Sequence, residues 1–342
     1  MISMLQKVYT HAIWFFIFLM ISCTHEPIAP ISDCIEFDIP GISFGPDFAE
    51  TGTQYKAPCY NPSNPNEFSF IIDDNAMEIS KLCTFNKIEG TQTILVSGNV
   101  DTEIHPEWGL GNKIAFSIGY KGYSIDLDDR LLVQMDTEYS SFYPEWIEEG
   151  SLSFKCKYVD FTDNSSGGVQ KSFVSVYAED GYQIDSFQIE GSNGFFRAWG
   201  MGSYHGEKNQ YVEIIDFISA SERYRYLNFI DVDKREIVKS VNIIEPYNIS
   251  SITCIKWHPN GQEVYFTQWY GGLYKVNIET GVSSVVLESC DNKWYNRFSI
   301  SPDGTKMLVE KVNCIFNGLA IFMNSTIVEY NMDGSGERVI LE

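Results

Sequence analysis

Histidine is the scarcest chemistry in this 342-residue chain. The five histidines, His11, His25, His105, His205 and His258, form no H-x-H and no H-E-x-x-H pattern. A site built from several convergent histidines therefore has no support in the spacing. The eight cysteines include no C-x-x-C, which removes the usual redox and zinc-knuckle motifs. Basic residues are also few: 24 Lys+Arg stand against 46 Asp+Glu, a net charge of −22. Such a polyanion repels nucleic acid and anionic lipid headgroups. The acids are dispersed, with no long run and no D-x-D-x-D-G loop, so they read as a solvated surface rather than a calcium loop or an acidic tail. After the first 22 residues no long stretch carries helical periodicity.

What the chain does have is aromatic residues, 15% of the total, and short β-branched runs separated by turn residues. Trp257-His258-Pro259-Asn260-Gly261 is a tight turn between an incoming strand and a strand over Gln262–Gln268. Proline presets φ for such a turn, and Asn-Gly tolerates positive φ. Gly271-Gly272 and Glu279-Thr280-Gly281 then separate two further strands, so four antiparallel strands fit in one short stretch. The unit recurs at Phe298–Val309 around Ser301-Pro302-Asp303-Gly304. Earlier instances centre on Tyr60, on Pro106-Glu107-Trp108 and Pro144-Glu145-Trp146, and on Trp199 with Tyr211–Ile215 as its next strand. The anchors Tyr60, Trp108, Trp146, Trp199, Trp257 and Ile300 lie 48, 38, 53, 58 and 43 residues apart. A period of this size belongs to propellers and not to a β-sandwich.

Strand, Ser-Pro-Asp-Gly, strand, followed by Asn331-Met332-Asp333-Gly334-Ser335-Gly336, resembles the TolB-like, WD-type β-propeller repeat. The resemblance implies an all-β ring of four-stranded antiparallel blades over residues 54–342, six blades by the anchor count and seven as the alternative. It implies no chemistry. Loop insertions are expected at Phe161–Gly168, Ser219–Arg225 and Cys314–Phe322.

Residues 1–22 combine Lys7, an apolar run from Ala12 to Ile21, and Ser22 before Cys23. This resembles a bacterial lipoprotein signal peptide, with Met20 where leucine is usual. The resemblance implies export, cleavage before Cys23 and lipid on its thiol. Residues 23–53, with four prolines, would then be a tether and N-terminal extension, in which Cys34–Ile39 could pair with a blade edge. Localisation in the cell envelope, anchored to a membrane, follows from the same likeness. The remaining cysteines read mostly as small buried hydrophobes with free thiols.

TolB-like blades are also similar to the propellers of prolyl-oligopeptidase-like enzymes, but no stretch of this chain is left for an α/β-hydrolase domain. The binding candidates are aromatic pairs next to turns: Trp269-Tyr270, Trp294-Tyr295 beside Arg297, and Tyr120 with Tyr123. Adjacent aromatics in loops either pack on a neighbouring blade or stack on a ligand. Arg297, one of few cations, could meet a carboxylate or be neutralised by a neighbouring acid. The expectation is a non-catalytic protein-interaction scaffold with no cofactor and no bound metal. Its partner would be an envelope protein. The alternatives are a glycan or peptide receptor, and a metal-dependent lyase or hydrolase.

Overall fold

A computed structural model describes residues 47–109, 111–119, 121–135, 144–148, 151–159, 170–178, 180–188, 196–218, 223–243, 252–290, 292–316 and 320–342. The regular part is five four-stranded antiparallel blades. They are β2–β5 (Thr53–Asn61, Asn64–Asp74, Ile79–Asn86, Thr91–Gly98) and β6–β9 (Glu107–Trp108, Lys113–Ile118, Lys121–Asp126, Leu132–Gln134). Next come β10–β13 (Pro144–Glu148, Ser151–Val159, Gln170–Tyr177, Gln183–Gln188) and β14–β17 (Phe196–His205, Gln210–Ile218, Arg223–Asp231, Glu236–Asn242). The fifth is β18–β21 (Ile252–Trp257, Glu263–Gln268, Leu273–Asn277, Ser283–Leu287). A five-stranded sheet closes the ring: β22 (Lys293–Ile300), β23 (Lys306–Phe316), β24 (Ala320–Asn331) and β25 (Arg338–Leu341), joined by β1 (Asp47–Glu50).

The expectation of six four-stranded antiparallel blades, or alternatively seven, is not met: five blades have that form, and the closing sheet is five-stranded with one parallel pairing. Strand β24 runs 12 residues, whereas β25 runs only 4. β25 covers Ile327–Glu329 of the outer edge, and β1 takes Ala320–Met323 in parallel. An uncovered edge is a liability for any sheet, and β1 removes this one. The strand expected over Cys34–Ile39 lies outside the described residues.

The first strand of each sheet is innermost. Each touches the next around the ring, from β2 through β6, β10, β14, β18 and β22 back to β2. The apolar core lies between blades. Val212, Leu227 and Phe229 meet Ile255, Trp257 and Phe266; Phe68 and Phe70 meet Leu308 and Ile327 across the closure. The anchors Trp108 and Trp257 are buried as expected, while Trp146 is half-buried. The side chain of Trp199 lies outside the described residues.

The register moves the fourth anchor off Trp199. Trp257 pairs with Val264 and Ile300 with Met307, seven residues on in each case. In β14 the residue with that relation is Tyr204, which pairs with Tyr211. A bulge between Ala198 and Gly202 displaces the anchor from the tryptophan.

The Pro-Asn-Gly and Pro-Asp-Gly turns close the inner hairpins at one end of the ring and stack on the preceding blade. A side chain on Gly304 would strike the ring of His258, and φ there is +69°. His258 Nδ1 accepts the Asn260 N–H, so its Nε2–H donates to the Gly304 carbonyl at 3.1 Å. That is a structural role for this histidine.

Candidate functional site

In a strand successive side chains alternate faces. With each anchor turned into the inter-blade core, the preceding residue faces the next blade's inner strand or the channel. Around the ring these residues are Cys59, Glu107, Glu145, Ser203, Lys256 and Ser299. Several satisfy the anchor N–H of the following blade. Tyr60 N donates to Ser299 Oγ at 3.1 Å, Trp108 N to Cys59 Sγ at 3.3 Å, Tyr204 N to Glu145 Oε1 at 2.9 Å and Trp257 N to Ser203 Oγ at 3.1 Å. These contacts lock each blade to the one before it.

The charged members meet in the channel. The Lys256 ammonium donates to Glu107 and lies 3.5 Å from Glu145 Oε2. His105 bridges Glu107, at 3.0 Å from Nδ1, and the Pro58 carbonyl, at 2.8 Å from Nε2. Both partners are acceptors, so both bonds form together only when the ring is doubly protonated. Burial works against that charge and pulls this imidazole below its ordinary pKa. Burial also acts on Glu107, but Lys256 and His105 outweigh it and hold the carboxyl at about 2. Glu145 goes the other way, pushed to about 7 by burial, with Lys256 offsetting part of the penalty. The two carboxyls of the Pro-Glu-Trp repeats thus occupy equivalent places with opposite shifts.

Cys59 Sγ, His105 and Glu107 bring their ligand atoms within 4.8 Å of one another, a mixed N, O, S set of the kind that holds zinc. The chain already supplies a cation there: Lys256 sits on Glu107, and the Cys59 sulfur accepts the Trp108 N–H. Burial pushes the Cys59 thiol well up, away from the thiolate that a metal needs. The residues fit a proton-and-ammonium network better than a metal centre. The cavity beside them holds only about 30 Å³.

At the mouth where the inner strands begin, the space widens to about 200 Å³. Its wall includes Trp269, Arg297, Lys56, Asp73, Glu103 and Glu310. Two of the sequence candidates, Trp269 and the buried Arg297, lie in this wall, and Tyr270 adjoins Trp269. Trp269 and Tyr270 are each 44% exposed, on the loop between β19 and β20. Tyr270 adopts φ +54°, an unusual left-handed conformation for a bulky residue. Its ring stands edge-on to Trp294 at 4.8 Å and to Trp269 at 5.4 Å. The Tyr295 N–H donates to the Gly271 carbonyl at 3.1 Å and ties the loop to the next blade. At Gly272 an added Cβ would meet the Leu287 carbonyl at 2.4 Å, so this approach requires glycine.

The other candidates are elsewhere or buried. Trp294 and Tyr295 are core, the former against Val312 and Cys314, the latter against Phe298 and Tyr330. Arg297 is buried; it donates to the Glu103 carbonyl and lies 3.7 Å from Glu310, the neutralised arrangement. Its Nε has no acceptor among the described groups. Tyr123 stacks on Phe116 at 6.0 Å and donates to Gln134, away from the mouth. Tyr120 and Cys23 lie outside the described residues. So does Gly41-Ile42-Ser43-Phe44-Gly45, the chain's one G-x-S-x-G string, which precedes the blades. Cys59, Cys83, Cys254 and Cys314 are free and buried, whereas Cys290 is disulfide-bonded.

The channel cluster went unread in sequence. Its signal was the residue before each anchor: Glu107, Glu145 and Lys256 hold opposite charges at equivalent positions.

No protein-family model and no curated protein matches the chain. Solved structures do. An acylaminoacyl peptidase from Pyrococcus horikoshii is 13% identical, with TM-score 0.50, over 85% of this chain and 52% of its own. The propeller domain of the Trilobed protease from Pyrococcus furiosus, described as having an open velcro topology, is 12% identical, with TM-score 0.51, over 85% and 99%. A TolB protein from Agrobacterium tumefaciens is 13% identical, with TM-score 0.52, over 75% and 86%. The chain is a β-propeller. It spans about half the length of the peptidase it matches, and at these identities the likeness carries the fold alone.

Proposed function

We propose that this propeller is a non-catalytic binding module of the bacterial cell envelope, exported and held to a membrane by lipid on Cys23. Its partner is a protein that docks a segment at the channel mouth against Trp269 and Tyr270. The supporting observation is the contrast between the two parts of the channel. The interior is filled by the Lys256–Glu107–Glu145–His105 network, which leaves space for little more than water. The mouth is open and is lined by the half-exposed Trp269, with the half-exposed Tyr270 beside it seated on Trp294. Large exposed aromatics with a firm floor are the side chains that anchor interfaces.

The test uses wild type and Trp269→Ala as baits for solubilised envelope fractions. Expected is a protein retained by wild type and lost from the variant, with melting temperatures agreeing within about 1 °C, since an exposed side chain contributes little to the core. Equal retention by both baits refutes the reading.

A further inference from the structure

We infer that the docked segment is a basic peptide, seated in an acidic groove running from the mouth over the first two blades. This rests on the mouth being the binding site, as proposed above.

The mouth cavity shares Asp73, Thr102 and Glu103 with a second hollow of about 460 Å³. That hollow lies over the β3–β4 turn and the segment between β5 and β6, and includes Glu78, Ser80, Asn99 and Asp101. Together the two are lined by six carboxylates, Glu50, Asp73, Glu78, Asp101, Glu103 and Glu310, against two cations, Lys56 and Arg297. Both cations are already engaged. Lys56 bridges Glu50 at 2.8 Å and Asp73 at 2.9 Å, and Arg297 faces Glu310. The groove therefore carries an excess of four negative charges, and Glu78 and Glu103 present theirs to solvent. A cleft with walls of one sign concentrates the field within it.

One further feature narrows the guest. Trp269, 44% exposed, lines the lip, where a lysine or arginine head gains from an aromatic ring. The cations already present, Lys56 and Arg297, lie in the mouth wall, so a divalent ion would face both, whereas a basic peptide spreads its charge along the groove beyond them. A glycan brings hydroxyls without the cation.

The probe is fluorescently labelled pentalysine, titrated against the full protein by anisotropy, with pentaglutamate as the control peptide. The variants are Glu78→Gln/Glu103→Gln in the groove, Trp269→Ala at the lip, and Glu236→Gln/Glu288→Gln, which removes the same charge from exposed positions elsewhere. Expected is salt-sensitive binding of pentalysine alone, weakened about tenfold by the groove pair, several-fold by Trp269→Ala, and less than twofold by the distant pair. Equal weakening by both acid pairs means general attraction to a polyanion and overturns the inference, as does no binding. If Trp269→Ala abolishes partner capture while the groove pair leaves pentalysine unaffected, the inference fails and the mouth reading stands. If Trp269→Ala spares partner capture too, both fail.

Discussion

Glu145→Gln isolates one buried charge and gives it a pH signature. In the folded protein the Glu145 carboxyl is raised from 4.5 to about 7, first by burial, with Lys256 pulling partly back. A carboxyl raised on folding contributes its full stability below the unfolded pKa, and that contribution is lost as pH rises towards the folded one. The window is therefore pH 4.5 to 7. Across it the shift amounts to about 3 kcal/mol at about 1.4 kcal/mol per pKa unit. Glutamine keeps an oxygen for the Tyr204 N–H and removes the ionisation. Glu107, held at about 2, titrates outside the window, and its sign is opposite: its contribution is lost only in acid. His105, depressed by burial, opposes Glu145 below pH 6.5 but is present in both proteins. The difference in melting temperature, variant minus wild type, should then rise by about 5 °C between pH 4.5 and pH 8, using about 2 cal/mol/K of unfolding entropy per residue. Calorimetric scans across that range measure it. A difference that stays flat would show that Glu145 is ionised throughout and that the channel is wetter than its geometry implies.

Lys256→Met should destabilise the fold by about 3–5 kcal/mol, because it strands Glu107 and Glu145 without their shared cation; denaturant unfolding measures this, and a loss under 1 kcal/mol would contradict the network. Cys23→Ser should release the protein from membranes or leave its precursor uncleaved. Mass spectrometry of wild type showing an unmodified Cys23 on a fully soluble protein would refute the lipid anchor.

The repeat was legible because it is local. Pro-Asn-Gly and Pro-Asp-Gly fix the inner hairpins, and the apolar residue before each turn, Trp257 or Ile300, marks the inter-blade core. Where a bulge intervenes, as before Tyr204, the eye settles on the nearer tryptophan and the register slips. The closing sheet was not legible, since β1 pairs with residues far along the chain and its Asp-Phe-Ala-Glu sequence carries no turn signal. Among the candidate pairs, sequence could not separate Trp269-Tyr270 from Trp294-Tyr295. Both are adjacent aromatics near turns, and only the strand boundary at Lys293 puts the second pair inside the core. Arg297 resolved towards neutralisation because Glu310 lies on the neighbouring strand β23.

The clasp between β1 and β24 sets an order of events in the making of the molecule. Thr51 donates to the Met323 carbonyl, 272 residues further along the chain. At 5–20 residues synthesised per second, β1 waits about 15 to 55 s for its partner. During that interval the first blade also lacks the neighbour that will cover Phe68 and Phe70. The mouth is unfinished too, for Glu50 comes from the clasp and Glu310 from the last sheet. A nascent or opened ring thus lacks part of the wall of the mouth, and the docking surface proposed there is complete only once β1 and β24 have met.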